Sequence, residues 1–113
     1  MNRRVATAAI LLTLSLPLPA IADVGALSSE RRAEIGHMVK QDCGSCHGLT
    51  LKGGLGPSLD PARLNLYPEG FLEVTIFHGR PGTPMPPWAP ILTPNEIRYI
   101  ATQLLSGTWY EPK

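Results

Sequence analysis

The two cysteines of this chain fall in one run with a histidine, Cys43-Gly44-Ser45-Cys46-His47. Three chemistries use such a run. A redox dithiol works beside a strand–helix–strand unit, and a zinc half-site needs two further Cys or His ligands. Covalent haem attachment needs two thiols that add to the two vinyl groups of one porphyrin, with a histidine next in line to face the iron. No alternating strand pattern supports the first, and only His37 and His78 remain for the second. The run is therefore read as the attachment site of one haem c, through Cys43 and Cys46, with His47 as the proximal ligand. A disulfide across so short a span would close almost no loop and stabilise little.

A second axial ligand must come from elsewhere. Met85 is the choice, within Gly82-Thr83-Pro84-Met85-Pro86-Pro87-Trp88. A thioether is neutral and soft, so a Met/His pair raises the reduction potential, and flanking prolines limit the backbone that carries it. His78 is the rival and would give a bis-histidine, lower-potential site. His37 is read as solvated and Met38 as core. The other ring nitrogen of His47 needs an acceptor to fix its tautomer. The stiff stretch Gly54-Leu55-Gly56-Pro57-Ser58-Leu59 offers one, the carbonyl of Pro57. Arg80 and Trp88 are read either as partners of the haem propionates or as a solvated charge and a packed aromatic.

Three helices must position these groups. The first runs from about Glu30 to Gln41 behind a serine cap in Leu27-Ser28-Ser29-Glu30, with Ile35, Met38, Val39 and Cys43 as its apolar stripe. Gly36 inside it is either tolerated or the place where another helix crosses. The second spans residues 68–78, with Pro68 at its first position and Gly79 as its stop. It is apolar nearly all round and so needs cover on more than one side. The third starts at the capping box Thr93-Pro94-Asn95-Glu96 and ends at Gly107, burying Ile97, Ile100, Ala101 and Leu104. Residues 53–61 and the proline-rich residues 80–90 are loops. Leu51, Leu55, Leu59, Leu64 and Ile91 are expected to cover the haem. The terminal run Trp109-Tyr110-Glu111-Pro112-Lys113 is expected to fold back on the domain.

At 113 residues the chain has room for one domain. Residues 1–22 read as a cleaved secretory signal, with Arg3 and Arg4 leading, apolar residues 5–16 following and Ala20-Ile21-Ala22 as the cleavage site. A retained anchor is the alternative, but the apolar stretch falls short of the roughly 20 residues a spanning helix takes. The Arg pair also admits a twin-arginine signal, although Val5-Ala6-Thr7 follows it. The remaining residues 23–113 carry 8 Lys+Arg (the 10 of the chain less Arg3 and Arg4) against all 9 Asp+Glu, a formal charge of −1. Nucleic acid and anionic membrane surfaces demand a basic face, so both are excluded as partners. A core this small also gains from a staple.

The Cys43-x-x-Cys46-His47 run, then Gly56-Pro57-x-Leu59, a helix stopping at Gly79, Met85-Pro86 and a capped last helix together resemble the class I cytochrome c family. The resemblance covers Ser28 to Leu105. It implies an all-α fold of three main helices with long Pro/Gly-rich loops around one haem, and terminal helices crossing near Gly36 against Ile97 or Ile100. It also implies Pro57 as acceptor for His47 and Met85 as distal ligand. The stretch from Phe77 to Trp88 is similar to the small NirC-type cytochromes associated with cytochrome cd-type nitrite reductase. That narrower resemblance implies a periplasmic electron carrier in denitrification, fed by a quinol-linked donor and passing electrons to nitrite reductase, or else an accessory role in making or inserting haem d. With both axial positions filled, catalysis at iron is not expected; an enzyme would need an open site. Leu55, Pro84, Pro86 and Pro87 are expected to ring the docking edge.

Overall fold

The structure, a computed structural model, describes residues 25–112. The expected export signal lies outside the described residues. Among the described residues five α-helices form: α1 (Ser29–Met38), α2 (Gly44–His47), α3 (Pro61–Leu64), α4 (Phe71–His78) and α5 (Pro94–Ser106). The described residues contain no strand, and no helix among them is long and apolar enough to cross a membrane.

α1 starts where Ser28 Oγ accepts the Arg31 N–H at 3.1 Å. Its chain does not stop near Gln41. It continues through a π-helical turn, Val39–Cys43, directly into α2. A π turn takes more residues per revolution than an α turn, which carries Cys43 back over the side occupied by the fully buried Ile35 and Val39. The chain thus reaches the Cys-x-x-Cys-His run as one bent helical rod.

α4 begins at Phe71 rather than at Pro68, because Gly70 takes a left-handed conformation (φ 76°) that a continuing helix cannot follow. Leu72 and Ile76 are buried, whereas Val74 is 60% and Phe77 36% exposed. Cover therefore lies over the part of this helix that carries Leu72 and Ile76, and Val74 and Phe77 remain partly exposed. α3 was not expected at all. Its cap is Asp60, whose carboxylate accepts the Ala62 N–H at 2.9 Å, and Pro61 fills its first position.

α5 carries the full reciprocal capping box, with Thr93 Oγ1 accepting from Glu96 N–H and Glu96 Oε2 accepting from Thr93 N–H at 2.8 Å. The other Glu96 oxygen takes the Arg31 guanidinium, tying α5 to α1. Ile97, Ile100, Ala101 and Leu104 are all buried in the core. Gly36 does not face Ile97 or Ile100. A Cβ there would meet the indole of Trp109 at 3.1 Å, so its missing side chain makes room for the returning C-terminal segment. That segment also packs Trp109 edge-on against Tyr99 and pairs Glu111 with Lys40.

Arg31, and after it the Thr93 backbone N–H, holds the Glu96 carboxyl below its ordinary value of 4.5. A depressed folded-state pKa stabilises the fold above the unfolded value and loses that contribution as pH falls through the folded one. Acid titration of thermal stability should therefore show a loss below about pH 4.5 that Glu96→Gln diminishes. Thr93→Ala should cost about 1 kcal/mol at neutral pH. Equal acid slopes for wild type and Glu96→Gln would contradict the assignment.

Candidate functional site

Between α2, α3, α4, α5 and the loop at residues 80–88 lies a cavity of about 350 Å³. Its wall is mostly apolar. Leu64, Leu72, Ile76, Leu92, Ile100 and Leu104 belong at once to this wall and to the hydrophobic core. The core is therefore built around a hole of the size that ligand pockets take, about 300–1,000 Å³.

The end of the π turn and α2 bring Cys43, Cys46 and His47 onto the cavity wall. Both cysteines are free thiols. Burial, and after it the charge of Asp42, pushes the Cys43 thiol up to about 11. Reactive redox thiols are depressed instead, so the dithiol reading loses its support. No group of three or more His, Cys, Asp or Glu suited to a metal ion is present among the described residues, and a zinc site lacks its donors.

The loop after α2 folds back onto it. Gly53 N–H donates to His47 O at 2.7 Å and Gly56 N–H to Cys46 O at 2.8 Å, satisfying carbonyls at the helix end. This brings Pro57 over the imidazole, and His47 Nδ1 lies 2.7 Å from the Pro57 carbonyl. A carbonyl can only accept, so Nδ1 carries the proton and Nε2 keeps its lone pair for a metal. Gly56 is pressed against the same ring: a Cβ would sit 2.8 Å from His47 Cε1 and 2.9 Å from Nδ1. Gly56→Ala should force the ring or the loop to move and lower stability by about 1–3 kcal/mol. A melt followed at the Soret band, unchanged from wild type, would refute that contact.

Met85 lines the same cavity, together with Arg80, Thr83, Pro84, Pro86 and Trp88. Its loop is anchored to the end of α4, with Trp88 N–H donating to Ile76 O at 3.0 Å and Arg80 N–H to Met85 O at 3.1 Å. Gly79 permits this approach, since a Cβ there would lie 2.5 Å from the Pro86 carbonyl carbon. His78 is exposed, packs edge-on against Phe77 and does not line the cavity. His37 is exposed on α1.

Of the expected cover, Leu55, Leu59 and Leu64 line the cavity. Leu51 and Ile91 do not: Leu51 is wholly buried in the core and Ile91 is 64% exposed. Of the expected docking ring, Leu55, Pro84 and Pro86 border the cavity and Pro87 does not. The sequence reading missed Arg63, Tyr67 and Phe71 on the wall. Asp60-Pro61 was the available signal for Arg63, since a cap and a first-turn proline start the helix that carries it.

Two thiols, an imidazole with one nitrogen spoken for and a thioether, all lining one mostly apolar cavity, form a donor set suited to an iron porphyrin. Residues 30–102 match the family described as cytochrome c oxidase, cbb3-type, subunit III. The chain is 46% identical over 99 residues to cytochrome c55X of Pseudomonas aeruginosa, covering 88% of this chain and 82% of that one. It belongs to the NirC-type c-type cytochromes. The solved structure of a c-type cytochrome NirC superimposes with a TM-score of 0.72 at 44% identity, covering 75% of this chain and all of the other. A 74-residue stretch, 66% of this chain, is also 36% identical to part of dihydro-heme d1 dehydrogenase of Pseudomonas aeruginosa, where it makes up 14% of the length. The cytochrome has the small all-α class I fold and carries covalently bound haem c with its iron. It is an electron-transfer protein and not an enzyme.

Proposed function

We propose that this cytochrome is a periplasmic one-electron carrier, with His47 and Met85 as axial ligands and thioether links to Cys43 and Cys46, that passes electrons to nitrite reductase. The observation that carries the reading is that His47, Met85 and the two cysteines all line one mostly apolar cavity. Haem iron held there supplies a one-electron redox couple. The protein's own residues exclude water with an aliphatic wall, fix His47 through Pro57, and present a soft sulfur that favours the reduced state. Arg80, Arg63 and Trp88 on the wall are suited to the propionates.

Export of residues 1–22 and a denitrification role accord with the NirC-type relatives. Leu55, Pro84 and Pro86 border the cavity, and Leu55 is 95% exposed. Docking there would be brief and of small area, below about 1,200 Å². Stopped-flow mixing of the reduced cytochrome with nitrite reductase should give rapid transfer that varies little with ionic strength. No transfer would overturn the partner, and a steep salt dependence would overturn the apolar contact.

The likeness to dihydro-heme d1 dehydrogenase favours a second reading, service in making haem d. A dehydrogenation releases two electrons and two protons, and a one-electron carrier accepts those electrons in two steps. A deletion strain whose nitrite reductase lacks haem d, while its electron supply is intact, would select this reading over direct donation.

A further inference from the structure

Residues 80–85 close on themselves without help from the rest of the site. Arg80-Pro81-Gly82-Thr83 is a β-turn: Thr83 N–H donates to Arg80 O at 3.0 Å, and Gly82 takes the positive φ of 79° that a type II turn requires after its proline. The turn then holds both backbone polar groups of Met85. Arg80 N–H donates to the Met85 carbonyl at 3.1 Å, and Met85 N–H donates to Thr83 Oγ1 at 3.4 Å. The Thr83 hydroxyl in turn donates to Arg80 O at 2.6 Å.

Pro84, Pro86 and Pro87 have no N–H, so Met85 carries the one backbone donor of residues 84–87. Met85 is half-buried and Thr83 exposed, so this N–H keeps a protein partner at the solvent edge of the cavity. The Thr83 hydroxyl is the acceptor it has, and Thr83 itself lines the cavity beside Met85. One side-chain oxygen therefore joins the turn to the ligand-bearing backbone, alongside the Arg80 N–H to Met85 O bond.

We propose that Thr83 is a positioning residue for the distal ligand: its hydroxyl holds the Met85 backbone so that the sulfur resists displacement from the iron. The inference rests on Met85 as ligand, and its test separates the two. The holo-protein in the ferric state is titrated with imidazole while the near-infrared charge-transfer band of methionine ligation is followed. Thr83→Val keeps the branched shape and removes the oxygen, and it should bind imidazole roughly three- to tenfold more tightly than wild type. Thr83→Ser restores the oxygen and should stay within about twofold of wild type. Val and wild type binding alike, or Ser shifting as far as Val, would overturn the role of the hydroxyl while leaving Met85 ligation in place. A wild-type protein that lacks the band would overturn both.

Discussion

Replacing Cys43 and Cys46 together by alanine should leave a chain without a cooperative thermal transition. The reason is the hole in its core. An unfilled apolar cavity costs about 24 cal/mol per Å³, so the roughly 350 Å³ found here corresponds to about 8 kcal/mol. A whole domain is held by about 5–15 kcal/mol. The wall residues Leu64, Leu72, Ile76, Leu92, Ile100 and Leu104 are over half of the core, so an empty cavity strips packing from most of it. Partial collapse of the walls recovers some of the loss, and the capped α5 should keep residual helix. The expected apo-chain is compact and partly helical, with no fixed near-UV circular dichroism. A sharp melt from a colourless double variant would show that the aliphatic core suffices alone.

Met85→Ala is expected to have the largest effect on the redox chemistry. Removing the thioether abolishes the near-infrared band and opens a coordination position that wild type keeps closed. Axial ligands command about 0.8 V of haem potential, and loss of the sulfur that favours ferrous iron should lower the midpoint by roughly 0.1–0.2 V. The fold should survive, because the loop is held by Trp88 N–H to Ile76 O and by Arg80 N–H, neither of which uses the Met85 side chain. His78→Ala should leave band and potential unchanged, since His78 stands outside the cavity wall. A midpoint that moves with His78 and not with Met85 would reverse the ligand assignment.

Local chemistry was the legible part of this molecule. The Cys43–His47 run, the Thr93-Pro94-Asn95-Glu96 capping box and the stop at Gly79 each depend on neighbours a few residues away, and each stands where the sequence put it. The α5 stripe was equally plain, because burial of Ile97, Ile100, Ala101 and Leu104 follows helical spacing. The π turn at Val39–Cys43 was not legible. It arises from fitting one rod both to the core through Ile35 and Val39 and to the cavity through Cys43, and no residue type marks it. The neighbour of Gly36, Trp109, was missed because the terminal run was expected to fold back on the domain without a seat being assigned to it. Pro68 invited a helix start two residues before Gly70 turned left-handed. Leu51 and Ile91 look like haem cover by composition, yet their places depend on how the loops return: Leu51 goes into the core at φ 62°, and Ile91 to the surface.

The absorption spectrum of the purified holo-protein in both oxidation states decides whether a haem is bound through Cys43 and Cys46. A low-spin c-type haem is expected that stays with the chain on acid–acetone extraction, sharpens on reduction, and shows the methionine band in the near infrared when oxidised. A folded, colourless protein with two titratable thiols, or a haem that extracts freely, would contradict it.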